Sequence, residues 1–162
     1  MKAVILAAGS GSRLREGPKA LVKLLGLTLL ERTILTAHDA GIDEFIIVVG
    51  CSASKIKHFI GLKYPTLKIQ WVHNEKWNLQ NGYSLWEARQ YVYENFVLLM
   101  ADHVLHPSFL KEFLPVIARL GSSRGNLNID SEFTQSRSEG TLQPLNDRED
   151  AQGDTYAVLA VD

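Results

Sequence analysis

The sequence predicts an α/β fold with a mostly parallel sheet covered by helices on both faces. Three observations carry that expectation. Short apolar runs alternate with segments of helical periodicity, a glycine-rich loop leaves the first apolar run directly, and an aspartate follows a later one. Alternation of this kind implies right-handed crossovers and strands buried on both sides.

The elements follow in order. Lys2 to Leu6 is a short buried strand, stopped abruptly by Ala-Ala-Gly-Ser-Gly. From Thr28 to Ala40, Leu29, Leu30, Ile34, Leu35 and Ala37 recur at helical spacing, with Thr28 as N-cap and Gly41 as stop. Glu44 to Gly50 is the next strand. Ser52 or Ser54 caps a helix to Ile60, and Leu67 to Val72 is the third strand. A helix over Tyr83 to Tyr93 leads into the strand Phe96 to Met100, and Pro107, in a first-turn position, opens a helix to Leu120. Residues 121–154 are polar, turn-rich and almost free of aromatic residues, and are expected to be poorly ordered or atypical; Thr155 to Asp162 reads as a last strand.

The 162 residues suit a single domain, 1–162. With 46% apolar and 22% charged residues the composition is that of an ordinary globular protein rather than a disordered or membrane one. A net charge of -1 argues against a surface that coats nucleic acid, so a phosphate ligand would be met by a few local cations. One cysteine, Cys51, excludes an internal disulfide and a multi-cysteine metal cluster, and fits a reducing cytoplasm. The opening apolar stretch, about six residues, is shorter than the apolar region of a signal peptide, and no run approaches the roughly 18 residues of a membrane span. The expectation is a cytoplasmic protein without a membrane span.

In an open parallel sheet, ligands bind at the carboxyl ends of strands, which is where residues 7–19 lie. The loop is neither a P-loop, whose glycine spacing is absent, nor a dinucleotide fingerprint, because Leu14 stands where a third small residue is needed. It suits a more general device. Gly9 and Gly11 free the backbone to take positive φ and bring N–H groups against a polyphosphate. Arg13 offers a planar fork for two phosphate oxygens and Lys19 a compact charge, with Pro18 stiffening the chain before it. Asp102 is the one carboxylate directly after an apolar strand. His103 is read equally as an acceptor contact or a packed side chain, Cys51 as a small buried filler, Trp71, Trp77 and Trp86 as core or cover, and Lys55, Lys57 and Lys63 as a solvated helix face. Lys76 is a candidate for attracting an acceptor phosphate.

The segments LAAGSGSRL with PKAL (Pro18 to Leu21), NGYSL (Asn81 to Leu85) and MADHV (Met100 to Val104) resemble the signature of nucleotidyltransferases that join a nucleoside monophosphate to a phosphorylated sugar or alcohol. Within that group the set is similar to CTP:inositol-1-phosphate cytidylyltransferases. The resemblance covers roughly residues 1–120; its first motif is common to the superfamily, and the second and third narrow it. Bacterial phosphocholine cytidylyltransferases share a related Asn-x-Tyr-Ser-Leu segment, but Asp-His-Val favours the inositol group.

The resemblance implies a three-layer, Rossmann-like nucleotidyltransferase fold, shortened in its C-terminal half, that uses Mg2+, CTP and a phosphorylated alcohol or sugar, with inositol-1-phosphate favoured. By the same resemblance Leu6, Ala7, Ala8, Gly9, Ser10, Gly11 and Ser12 line the nucleotide, Arg13 meets its β and γ phosphates, Lys19 holds the α-phosphate, Asn81 and Gly82 lie beside base and ribose, and Asp102 binds the metal. Arg13, Lys19 and Asp102 are the implied catalytic set. Such enzymes usually present a second carboxylate from a longer C-terminal half. Here Asp147, Asp150 and Asp154 are the acids available, unless a partner chain or water completes the metal. Two alternatives stand beside this reading: a phosphocholine or sugar-phosphate nucleotidyltransferase, and a shortened non-catalytic nucleotide-binding protein. A homodimer is compatible with each.

Overall fold

The computed structural model describes residues 1–11, 17–79, 81–93, 96–106, 108–122 and 157–158, of which 116–122 and 157–158 are described by their backbone alone. Strand β1 is Lys2–Ala7; a short hairpin follows, β2 (Lys23–Leu24) and β3 (Leu27–Thr28). Then come α1 (Leu29–Asp39), β4 (Glu44–Val49), α2 (Ala53–Lys63), β5 (Lys68–His73), α3 (Asn81–Ala88), β6 (Phe96–Met100), α4 (Phe109–Ser122) and β7 (Ala157–Val158). The main sheet has the order β5-β4-β1-β6-β7, and every pairing in it is parallel.

Alternation along β1 builds two cores. Ala3, Ile5 and Ala7 face Leu30, Ile34 and Ala37 of α1, Ile56 and Ile60 of α2 and Leu110 of α4. Val4, Leu6 and Ala8 face the other way, toward Ala88 of α3 and the partly buried Trp77 and Leu85. The chain moves outward from β1 through β4 to β5, then returns past β1 to form β6. With right-handed crossovers, that reversal puts α1 and α2 on one face and α3 on the other, which is the three-layer arrangement expected. It also makes the crevice between β1 and β6 the topological switch point, where open α/β sheets bind ligands.

Local chemistry explains the boundaries. Thr28 caps α1 with a reciprocal box: its hydroxyl accepts from the Glu31 N–H at 3.2 Å while the Glu31 carboxylate accepts from the Thr28 N–H at 2.7 Å. Gly41, with φ 91°, closes the helix as expected. The hairpin was not anticipated. Leu25 and Gly26 both have positive φ, 51° and 86°, the pair of values its tight turn needs, and Leu25 gives no sequence signal for it.

Several expectations need correction. Helix α3 begins at Asn81, not Tyr83, and gives way to a single 3-10 turn at Arg89–Tyr91. Helix α2 runs on to Lys63, and its N-cap Ser52 makes no side-chain capping bond. Helix α4 extends through Gly121 and Ser122, into the stretch read as atypical, and encloses Pro115. Pro107 and residues 123–154 lie outside the described residues. Cys51 is free and exposed rather than a buried filler, because it sits in the turn after β4 has already left the sheet.

Candidate active site at the β1–β6 crevice

Parallel pairing of β1 with β6 sets the site. Leu6 lies opposite Met100, and the Ala101 N–H donates to the Leu6 carbonyl at 3.0 Å, so the chains leaving both strands emerge side by side. Asp102 is therefore delivered to the same edge as the glycine loop. Lys19 reaches it across 83 residues of sequence: its Nζ is 2.5 Å from Asp102 Oδ2. Two motifs that the sequence could only place separately meet in one ion pair.

Gly11 explains how Lys19 arrives there. Its φ is 62°, and a Cβ built on it would lie 2.9 Å from the Lys19 backbone nitrogen and 3.0 Å from its Cβ. The loop thus closes on itself at a contact only glycine permits. Beyond it, extended Pro18 (φ -65°, ψ 130°) leads into a 3-10 turn over Lys19–Leu21. Gly9 differs: it is not among the glycines with positive φ, and a Cβ there would meet nothing within 4 Å. The expectation of positive φ at both glycines therefore holds only for Gly11.

Leu6, Ala7 and Ala8 are buried in the sheet and its cores, whereas Gly9 is exposed and Ser10 intermediate. Asn81 and Gly82 are exposed in the first turn of α3, which packs over β1 and β4. Ser12 and Arg13 lie outside the described residues, as do Asp147, Asp150 and Asp154.

A fit to a divalent cation can be tested on Asp102. Lys19 occupies Oδ2, but Oδ1 is buried and has no hydrogen-bond partner, and the same is true of His103 Nδ1. A carboxylate oxygen without a hydrogen-bond donor at the carboxyl edge of the sheet suits a hard cation that keeps most of its shell as water and other oxygens. Among the described residues no cluster of three His, Cys, Asp or Glu side chains is present.

Three supports escaped the sequence reading. Asn74, 1% exposed at the end of β5, donates to the Ser84 hydroxyl of α3 at 2.9 Å, and its Oδ1 accepts from the Lys76 N–H at 2.8 Å. The serine of NGYSL thereby ties the helix carrying Asn81 and Gly82 to the sheet. Gly50 is the second support. A Cβ there would lie 2.4 Å from Trp77 Cβ and 2.7 Å from the Ala8 carbonyl, so Trp77 lies across the carboxyl edge as cover.

The third is Glu31, fully buried. Burial alone would raise its carboxyl, but hydrogen bonds from Lys63, Thr28 and Tyr64 outweigh that and lower it from 4.5 to about 2. The same bond to Glu31 raises the Lys63 ammonium, and burial with that contact raises the Tyr64 phenol. Lys63 is therefore a tie between α2 and α1 rather than part of a solvated face. The Thr-x-x-Glu spacing was a readable signal for the cap; the partners from α2 were not.

Of the remaining cations, Lys76 lies 5.6 Å from the Tyr83 ring and Arg89 3.9 Å from that of Trp86, so the exposed face of α3 carries paired aromatic and cationic groups. The family comparison accords with this geometry: the MobA-like NTP transferase domain matches residues 3–127. The chain belongs to that family. The described residues of this NTP transferase domain contain no helix long and apolar enough to cross a membrane.

A protein of Aquifex aeolicus named bifunctional IPC transferase and DIPP synthase is 38% identical over 128 residues, 74% of this chain and 29% of that protein. The structure of the inositol-1-phosphate CTP transferase from T. maritima superposes with a TM-score of 0.61 at 28% identity, covering 68% of this chain and 46% of that one. CTP:phosphocholine cytidylyltransferase from Streptococcus pneumoniae superposes at 0.54 with 35% identity, covering 62% and 44%. The NTP transferase domain thus spans less than half the length of each of these proteins.

Proposed function

We propose that the chain transfers a cytidylyl group from CTP to inositol-1-phosphate, giving CDP-inositol and pyrophosphate, with residues 1–162 acting as one nucleotidyltransferase domain. The observation that carries the reading is the Lys19–Asp102 pair at the β1–β6 switch point, which unites the opening loop with the Asp-His-Val segment. Relatives named for this activity support the choice of substrates.

In this reading an oxygen of the acceptor phosphate attacks the α-phosphorus in line. A new P–O bond forms as the bond to the bridging oxygen breaks, and pyrophosphate leaves with that electron pair. The acceptor needs no general base, because a phosphate monoester is largely ionised near neutral pH. Both reactants are anions, so the protein's work is positioning and charge stabilisation. Lys19 leaves Asp102 for the α-phosphate oxygens, Arg13 grips the β and γ phosphates, and the backbone of Gly9 to Gly11 presents N–H groups to them. Asn81 and Gly82 hold base and ribose. Asp102 would hold Mg2+, which would supply neutralisation of phosphate charge. A reducing cytoplasm suits the free, exposed Cys51.

Phosphocholine is the second acceptor, favoured by the 35% identity to the Streptococcus pneumoniae enzyme named for it. The test is pyrophosphate release from CTP with Mg2+ and inositol-1-phosphate, phosphocholine or a sugar phosphate. Release dependent on inositol-1-phosphate supports the proposal; release with another acceptor reassigns the substrate. CTP binding without turnover for any of them refutes the transferase reading in favour of a nucleotide-binding module.

A further inference from the structure

We propose that His103 Nδ1 and Asp102 Oδ1 bind one divalent ion together, and that this imidazole lets the site, which takes Mg2+ through Asp102, hold first-row transition metals more tightly. The inference deepens the proposed site and rests on that reading only for the ion's use in catalysis.

Among the described residues, these two are the buried side-chain polar atoms without a hydrogen-bond partner. They lie 3.1 Å apart. That is within ion-pair range, yet the geometry forms no hydrogen bond, and buried polar atoms left without one call for a role. The separation has another meaning. Two cis ligands of an octahedral ion, each about 2.1 to 2.2 Å from it, stand about 3.0 to 3.1 Å apart. The pair already has the bite of a chelate.

The surroundings suit that use. Lys19 takes the other carboxylate oxygen, which leaves Oδ1 as the acceptor directed elsewhere. The backbone of the turn is pinned by the Ala101 N–H on the Leu6 carbonyl at 3.0 Å and the His103 N–H on the Met100 carbonyl at 3.4 Å. Both side chains keep partial exposure, 27% and 35%, which gives an ion a path of entry. Among the described residues no group of three His, Cys, Asp or Glu side chains forms, so within them water and phosphate oxygens would fill the remaining positions. A neutral imidazole nitrogen is a poor ligand for hard Mg2+ and a good one for Mn2+, and better for Co2+, along the first-row series.

The test uses the full chain with Mn2+ and inorganic pyrophosphate, which supplies phosphate oxygens without any nitrogen. Pulsed electron paramagnetic resonance of bound Mn2+ should show nitrogen modulation from one imidazole. In His103→Ala that modulation should vanish and Mn2+ affinity fall about tenfold or more, with Mg2+ affinity nearly unchanged. Asp102→Asn should abolish binding of both. Wild-type Mn2+ without nitrogen coupling, coupling that persists in H103A, or equal losses for Mn2+ and Mg2+ each overturn the proposal. The wild-type spectrum stands whether or not the variant folds. Nitrogen coupling in a chain that turns over no acceptor sinks only the transferase reading; turnover without coupling sinks only the role of His103.

Discussion

Glu31→Gln tests the coupling between burial and charge that holds α1 to α2. The carboxylate is fully buried and accepts from the Thr28 N–H at 2.7 Å, from the Tyr64 hydroxyl at 2.9 Å and from Lys63. Its carboxyl lies at about 2 in the folded chain against 4.5 for the free group. At about 1.4 kcal/mol per unit that difference gives roughly 3.5 kcal/mol, reduced toward about 2 because Lys63 itself is partly solvated. A lowered pKa means that the unfolded chain binds the proton more readily. The stabilisation is therefore complete above about pH 4.5 and is lost as pH falls toward 2.

Glutamine keeps the size but brings an amide NH2 against three donors, so E31Q should lose about 2 to 3 kcal/mol at pH 7. Protonation should cost wild type most of the same amount in acid. Urea unfolding of both proteins, followed by circular dichroism at pH 7, 5, 4 and 3, should show two stability curves that converge as the medium is acidified. A constant offset across that range would refute the electrostatic account and leave only a packing effect. Because the Leu29 N–H donates to the Val22 carbonyl at 3.0 Å, just beyond the turn carrying Lys19, E31Q should also lower kcat/KM.

Three further outcomes follow from the site. Lys19→Ala should lower turnover about a hundredfold or more, a loss of about 2.7 to 4 kcal/mol, while calorimetric CTP affinity changes far less; equal effects on both would remove Lys19 from the transition state. Gly11→Ala should be strained by about 1 to 2 kcal/mol from its left-handed φ and should displace Lys19, lowering Tm and cutting kcat/KM by up to about 100-fold, whereas Gly9→Ala should leave Tm unchanged. Matching melting curves for the two would deny that the loop closes at Gly11. Asn74→Ala strips the Ser84 hydroxyl and the Lys76 N–H of a buried partner, so stability should fall about 1 to 3 kcal/mol and KM for CTP should rise as α3 loosens; a KM that stays fixed would detach α3 from the nucleotide.

Much of the fold was legible because its signals are local. The apolar runs at Lys2, Glu44 and Phe96, the cap at Thr28 and the stop at Gly41 each depend on neighbours within a few residues, and each stands within a residue or two of its expected place. Asp102 was legible as a candidate because a carboxylate directly after an apolar strand must emerge at the carboxyl edge of a parallel sheet. The hairpin was not, since Leu25 adopts a left-handed conformation that its side chain disfavours and only the surrounding structure imposes. Glu31 and Lys63 were likewise illegible as a pair: they stand 32 residues apart, and an exposed-looking lysine gives no hint of a buried carboxylate within its reach.

By itself the sequence determined the alternation of strands and helices, the glycine loop and the family its motifs indicate. These rest on periodicity and on residue types at short spacing, which the chain carries whatever its tertiary neighbours are. Only the tertiary structure decided that Lys19 meets Asp102, that Gly11 is required by contact and Gly9 is not, and that one oxygen of Asp102 and one nitrogen of His103 are left facing each other. Strand order and register bring those groups together, and both are set by burying two faces of one sheet at once, a long-range packing condition that no local stretch of sequence expresses.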